Sequence, residues 1–117
     1  MQQKFTFKRD KYKKARGGYS RLLNIYCKKC KNFIVLYQKD GPGNLKRLYF
    51  DRIFLPKNLI NLQHEKLDSI PNLKCNKCKR ALGMPEIYKK ENRKSFRLFQ
   101  DAVSKKVTKL IIKDKNN

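Results

Sequence analysis

Four cysteines constrain this chain more than any other feature, because they fall into two equal spacings, Cys27-Lys28-Lys29-Cys30 and Cys75-Asn76-Lys77-Cys78. Two intervening residues form a tight knuckle that aims both sulfurs at one point. Two such pairs supply the four soft thiolates of a tetrahedral structural zinc site. One Zn2+ ion held by Cys27, Cys30, Cys75 and Cys78 is therefore expected, and the two knuckles must meet in space. In a reducing cytosol paired cysteines favour metal over disulfide. A thioredoxin-like redox pair would need a helix opening at its first cysteine. Here Cys30 precedes a strand-like run instead. His64 is the only histidine, and a lone histidine in a loop is more often solvated than a ligand.

The spacer, residues 31–74, is longer than the about 15–20 residues of a usual four-cysteine ribbon. The second knuckle continues as Cys78-Lys79-Arg80-Ala81-Leu82-Gly83. With Cys75 this makes the pattern C-x-x-C-x-x-x-L-G, which resembles the second half of many zinc ribbons. The two separated pairs also look like the long-spacer, sheet-based zinc modules called β-tent folds. The whole pattern is similar to uncharacterised small basic zinc proteins of small-genome bacteria, a likeness that implies no activity. Lys28, Lys29, Lys31, Asn76, Lys77, Lys79 and Arg80 crowd the knuckles. They are expected to favour thiolate and metal uptake and to make the metal end positive.

Charge is the second constraint. Lys and Arg number 31 against 9 Asp and Glu, for a net charge of +22 on 117 residues. Most cations cannot find an acid within the chain, so a polyanionic partner is expected. No segment combines basic residues with a broad apolar face free of core duty, which disfavours a membrane surface. RNA fits the composition best. The chain has 6 Tyr and 7 Phe beside its cations, and aromatic faces stack on unpaired bases while cations hold phosphates. Charge spread over nearly every segment suggests a protein embedded in a ribonucleoprotein such as the ribosome. The alternatives are a DNA-binding zinc protein and a zinc-stabilised protein- or peptide-interaction module. An open aromatic groove near Tyr37 and Tyr49 would favour the latter.

Residues 1–24 read as a basic N-terminal arm with interleaved aromatics. Its nucleic-acid contacts are expected from Lys8, Arg9, Lys11, Tyr12, Lys13, Lys14, Arg16, Tyr19 and Arg21, with Phe5 and Phe7 as further stacking candidates. Residues 25–112 form the zinc-binding domain and 113–117 a polar tail. Within the domain, 33–37 and 45–50 are β-prone runs around Asp40-Gly41-Pro42-Gly43-Asn44, which predicts a hairpin over about 33–50. Lys46, Arg47 and Arg52 are expected to close around a phosphate at its tip. Residues 22–26 and Leu73-Lys74 read as strands leading into the knuckles. From 92 to 111, Phe96, Phe99, Val103, Val107, Leu110 and Ile111 recur at helical spacing and predict an amphipathic helix. A pair of strands fits the same residues in part.

The expected fold class is thus α+β: a small zinc-tied antiparallel sheet, zinc-ribbon or β-tent-like, with a C-terminal helix. An enzyme is not expected. One histidine and scattered acids form no catalytic motif, and zinc with four sulfur ligands keeps no open position for water. The N-terminus shows no signal-peptide pattern, and the longest apolar run, 33–37, is too short to span a bilayer. A cytoplasmic protein is expected.

Overall fold

The computed structural model describes residues 5–108 and 112–113. Residues 114–117, most of the expected polar tail, lie outside the described residues. Ten strands and one short helix follow one another. They are β1 (Phe5–Thr6), α1 (Lys11–Ala15), β2 (Ser20–Cys27), β3 (Phe33–Asp40), β4 (Arg47–Tyr49) and β5 (Ile53–Leu55). After three single 3-10 turns over 57–69 come β6 (Leu73–Lys74), β7 (Ala81–Tyr88), β8 (Arg93–Leu98), β9 (Val103–Val107) and β10 (Ile112–Lys113). Two four-stranded antiparallel sheets result, ordered β5-β3-β2-β9 and β4-β8-β7-β6, while β1 and β10 pair in parallel.

Alternation along the strands explains how the first sheet is covered on both faces. Leu23, Ile25, Val35, Tyr37 and Ile53 point into one buried cluster shared with Leu48, Leu73, Leu82 and Phe96 of the second sheet. Phe50 meets Phe96 edge to face there, with ring centroids 4.7 Å apart. The intervening residues Leu36 and Gln38 are equally buried, under the N-terminal segment. The Lys8 amide donates to Gln38 Oε1 at 2.7 Å, and Phe5 stacks on Phe54 at 5.8 Å. Burial on both faces is why 33–37 reads as an unbroken apolar run.

The expected α+β class with a C-terminal helix over 92–111 is overturned. Residues 93–98 and 103–107 are strands β8 and β9, and they lie in different sheets; residues 109–111 fall outside the described ones. The helical stripe is not a burial stripe: Phe96 is 1% exposed, but Phe99 is 40% and Val107 56% exposed. Asn92 and Asp101 bracket β8 with positive φ, 50° and 59°. Asn and Asp tolerate that left-handed turn geometry, and two such turns in ten residues leave no room for a long helix.

The 33–50 hairpin is also corrected. The first run is strand and the second is strand over 47–49, but β3 pairs with β2 and β5 while β4 pairs with β8. The tight turn that β3 uses is the first cysteine knuckle. The 41–46 loop instead carries the chain from one sheet to the other. The crossing is tied by the Tyr49 amide, which donates to Tyr37 Oη at 3.0 Å. Gly41 has φ +70°, and a Cβ there would lie 2.5 Å from the Arg16 carbonyl oxygen. Gly43 has φ +105° with open space around it. Gly41→Ala is therefore expected to cost about 2 kcal/mol from strain and clash together. Gly43→Ala should cost about 1 kcal/mol from backbone strain alone. Urea midpoints of the two variants check the difference; equal midpoints would contradict it.

Candidate metal centre and cationic surface

Both knuckles are built by the same local hydrogen bonds. In the first, the Lys31 amide donates to the Cys27 carbonyl at 2.8 Å and the Cys27 amide to Asn32 O at 2.8 Å. In the second, Lys79 donates to Cys75 O and Cys75 to Arg80 O, both at 2.9 Å. Lys31 and Lys79 take the same left-handed conformation, φ 66° and 69°, which turns the chain back into β3 and towards β7. Each knuckle is thus the tip of a hairpin, β2–β3 in one sheet and β6–β7 in the other. The metal centre lies where the two tips meet.

All four sulfurs lie within 4.8 Å of one another. The nearest pairs run between knuckles, Cys27–Cys78 at 3.7 Å and Cys30–Cys75 at 3.4 Å. A tetrahedron with Zn–S bonds of about 2.3 Å has S–S edges of about 3.8 Å, so the cluster has the size of a four-sulfur site. A disulfide needs about 2.05 Å, and the cysteines are free. Cys27 and Cys75 are buried while Cys30 and Cys78 face partly outward. His64 is exposed and stands outside the cluster.

The four thiols are not equivalent in acidity. Backbone amides, first that of Cys78, pull the Cys75 thiol down to about 6 against its burial. The Cys30 amide likewise lowers Cys27. At Cys30 the Asn32 amide acts in the same direction, but burial and the three neighbouring sulfurs push the thiol up to about 11. Backbone dipoles, rather than the flanking lysine ammonium groups expected from the sequence, prepare the site. A bound cation would favour the thiolate form of all four sulfurs.

The cations expected to contact nucleic acid, with Arg93, divide into two kinds. Some are locked into the fold. Arg52 is 1% exposed; its Nε donates to Asp40 at 2.9 Å and its Nη2 to Asp10 at 2.6 Å. Asp10 also caps α1 by accepting from the Tyr12 and Lys13 amides. Arg93 reaches Asp51 through two nitrogens, at 2.6 and 3.2 Å, and Glu91 at 3.1 Å. Its guanidinium lies between the rings of Tyr49 and Tyr12, 3.8 and 4.0 Å from their centroids. Arg16 closes the chain with two 2.7 Å bonds to Glu91. Arg47 pairs with Glu86 at 3.5 Å, and Lys13 is buried with its ammonium over Phe7. The other kind is exposed: Arg9, Lys11 and Lys14 near α1, and Lys46 in the crossing loop. Lys8 and Arg21 are half-buried.

The expectation that Arg52 contacts nucleic acid is therefore withdrawn, and residues 5–16 are tied to the body by Asp10, Arg16 and Gln38 rather than hanging as a separable arm. The stacking candidates shift as well. Phe5 stacks on Phe54, while the rings of Tyr12 and Phe7 are covered by Arg93 and Lys13; Tyr19 is 49% exposed, and Phe33 and Phe99 are each 40% exposed. Lys39 went unnoticed in the sequence. Its signal was a lysine two residues beyond the apolar run 33–37.

A cleft of about 550 Å3 bounded by Phe33, Leu59, Leu62, Ile70 and Phe96 borders the second knuckle. Among the described residues no helix is long and apolar enough to cross a membrane. In comparisons with protein-family models, curated proteins and solved structures, nothing matched this chain. The likeness to zinc ribbons thus stands on the two knuckles alone.

Cobalt(II) added to reduced protein is expected to give tetrahedral thiolate charge-transfer bands at one ion per chain, and Cys75→Ser should abolish the four-sulfur spectrum. Uptake displaces thiol protons, so apparent affinity should fall as pH drops from about 8 to about 6. An unchanged spectrum in the variant would contradict the assignment.

The acid side of the stability curve follows from the carboxylates. Burial opposes ionisation of Asp10 and Glu91, but hydrogen bonds from Arg52 and from Arg16 and Arg93 win, and both groups sit below their ordinary values. Depressed carboxyl values stabilise the fold above an unfolded-state value of about 4, and that contribution is lost as pH falls through the folded-state values. Arg52→Met leaves buried acids unpaired and is expected to cost about 3–5 kcal/mol at neutral pH. The gap from wild type should narrow below about pH 4. Denaturation at pH 7 and pH 3 measures it; a constant gap would refute the linkage.

Proposed function

We propose that the chain is a structural-zinc protein that binds nucleic acid, with RNA inside a ribonucleoprotein as its partner. Zinc is the reading of the four-sulfur cluster because it takes tetrahedral thiolate sites and needs no redox partner. The RNA reading is carried by one observation: the way the acids are used. Asp10, Asp40, Asp51, Glu86 and Glu91 are all paired with arginines, and they are more than half of the 9 acids in the chain. Lys28 of the first knuckle meets Asp101 at 3.3 Å; the other exposed lysines of α1, both knuckles, the β7–β8 turn and β9 remain to face an external polyanion. Exposed Tyr19, Phe33 and Phe99 supply ring faces among these cations. α1 has five residues, short for a helix that reads a DNA major groove. The interaction-module alternative loses the groove expected for it. Tyr37 is 2% exposed, and the cavity beside Tyr37 and Tyr49 is walled by cations.

Deleting residues 1–21 would also remove Asp10 and Arg16, so point substitutions make the cleaner test. Lys11→Gln with Lys14→Gln is expected to preserve the zinc content and weaken binding to a structured RNA. The slope of log affinity against log salt should fall by up to about 1.8, since each phosphate contact contributes about 0.7–0.9. Parallel titrations with duplex DNA and an acidic peptide decide the class of partner. Tighter binding of either, or no RNA binding at low salt, would overturn the RNA reading.

A further inference from the structure

The interior of the β3–β4 crossing holds a charge that the rest of the fold leaves uncompensated. Lys39 is 7% exposed, and its ammonium donates to two neutral acceptors, Gly41 O at 3.0 Å and Pro42 O at 3.2 Å. Asp40, next in sequence, is turned to Arg52, Ser20 and Gln38. No carboxylate among the described residues forms an ion pair with Lys39. Directly across the strand pair stands another cation, Arg21, whose buried Nε has no hydrogen-bond partner among the described residues. Like charges opposite one another destabilise a sheet, and a buried charge is ordinarily paired. Burial, followed by the charges of Arg21, Lys105 and Arg16, lowers the Lys39 pKa against the opposing charge of Asp40.

Beside this ammonium lies a cavity of about 140 Å3, walled by Lys39, Arg16, Lys46, Arg47, Asn44 and Tyr49. It is well below the about 300 Å3 at which pockets for drug-sized ligands begin, so it has room for a small polyatomic anion and not for a nucleoside. Its one acid, Asp40, has its oxygens engaged by Arg52, Ser20 and Gln38. A second cleft shares the 44–47 wall and continues to Arg97 and the exposed ring of Phe99. Whatever is attached to an anion seated in the cavity therefore has a cationic, aromatic path outward.

We infer that this cavity is a binding site for a single phosphate group, with Lys39 at its base and Lys46 at its mouth. The chemistry of the site stands on the geometry; that the phosphate belongs to RNA rests on the function proposed above. Three sources share this chemistry: free inorganic phosphate, a terminal phosphate of an RNA strand and an internal phosphodiester.

The test uses the full-length, zinc-loaded chain. Inorganic phosphate is expected to raise the unfolding temperature more than chloride at equal ionic strength. Lys39→Met removes the buried repulsion, so its unfolding temperature without phosphate should equal or exceed wild type. Its phosphate affinity should fall by about tenfold or more, the worth of one charge-assisted hydrogen bond. Lys46→Gln lies on an exposed residue and cannot unfold the core; it should also weaken phosphate binding. Equal protection by chloride and phosphate, or full phosphate affinity in both variants, would overturn the site. An oligoribonucleotide with and without a 5′-phosphate separates the sources. A preference for the phosphorylated strand that vanishes in Lys39→Met identifies a terminal group. Equal weakening of both strands identifies an internal one, and no weakening of either counts against the site. Phosphate protection without RNA binding would leave the site standing and remove the RNA reading; RNA binding without phosphate protection would do the reverse.

Discussion

The meeting of two hairpin tips at four sulfurs is the constraint on which the rest depends. Each sheet is small, and β6 and β4 are only two and three residues long. Short strands carry little stability by themselves. The sulfur cluster fixes the β2–β3 tip against the β6–β7 tip, and so aligns the faces that form the shared core around Val35, Leu48, Leu82 and Phe96. The same closure spans the long 31–74 excursion, where a cross-link removes most chain entropy. The excursion can therefore be irregular over 56–72 without loosening the ends that matter.

A second organising element is the division of labour between the two basic residue types. The guanidinium groups of Arg16, Arg52 and Arg93 lie inside, each gripping at least two oxygens of a carboxylate or of neighbouring carboxylates. The planar fork suits that task better than an ammonium does. The resulting chain, Asp40–Arg52–Asp51–Arg93–Glu91–Arg16, joins the N-terminal segment, the crossing loop and the β7–β8 turn. Lysines are left mainly at the surface, where their flexible, strongly hydrated charges stay in water. Lys39 departs from this division, which is why it stands out.

The four-cysteine cluster was legible in the sequence, because a knuckle is a local event and its signature is spacing. Strand identity was legible over 22–26 and 33–37, and in part over 45–50, where only 47–49 is strand, as β-branched and aromatic content acts locally. Pairing was not. Whether β3 turns back on β4 or on β2 is decided by the knuckle between β2 and β3 and by β8, which arrives from far along the chain. The helix over 92–111 failed because spaced apolar residues count alike whether exposed or buried; Phe99 and Val107 contribute to the pattern but not to the core. Arg52 was misread because a basic residue carries the same sign on the surface and in the interior. Only the arrival of Asp10 and Asp40 distinguishes the two, and no local feature announces it.

The matching knuckles have a consequence for how the protein matures. Each offers only half of a coordination shell, and each forms from residues a few positions apart. A nascent chain thus displays two independent bidentate claws long before its sheets have docked. Either claw alone, or claws from two different chains, can capture an ion in a lower-affinity, mismatched complex. Newly made protein at high concentration is therefore exposed to metal-bridged pairing between chains. The order in which ion and fold arrive then governs how much of it reaches the four-sulfur arrangement within one chain.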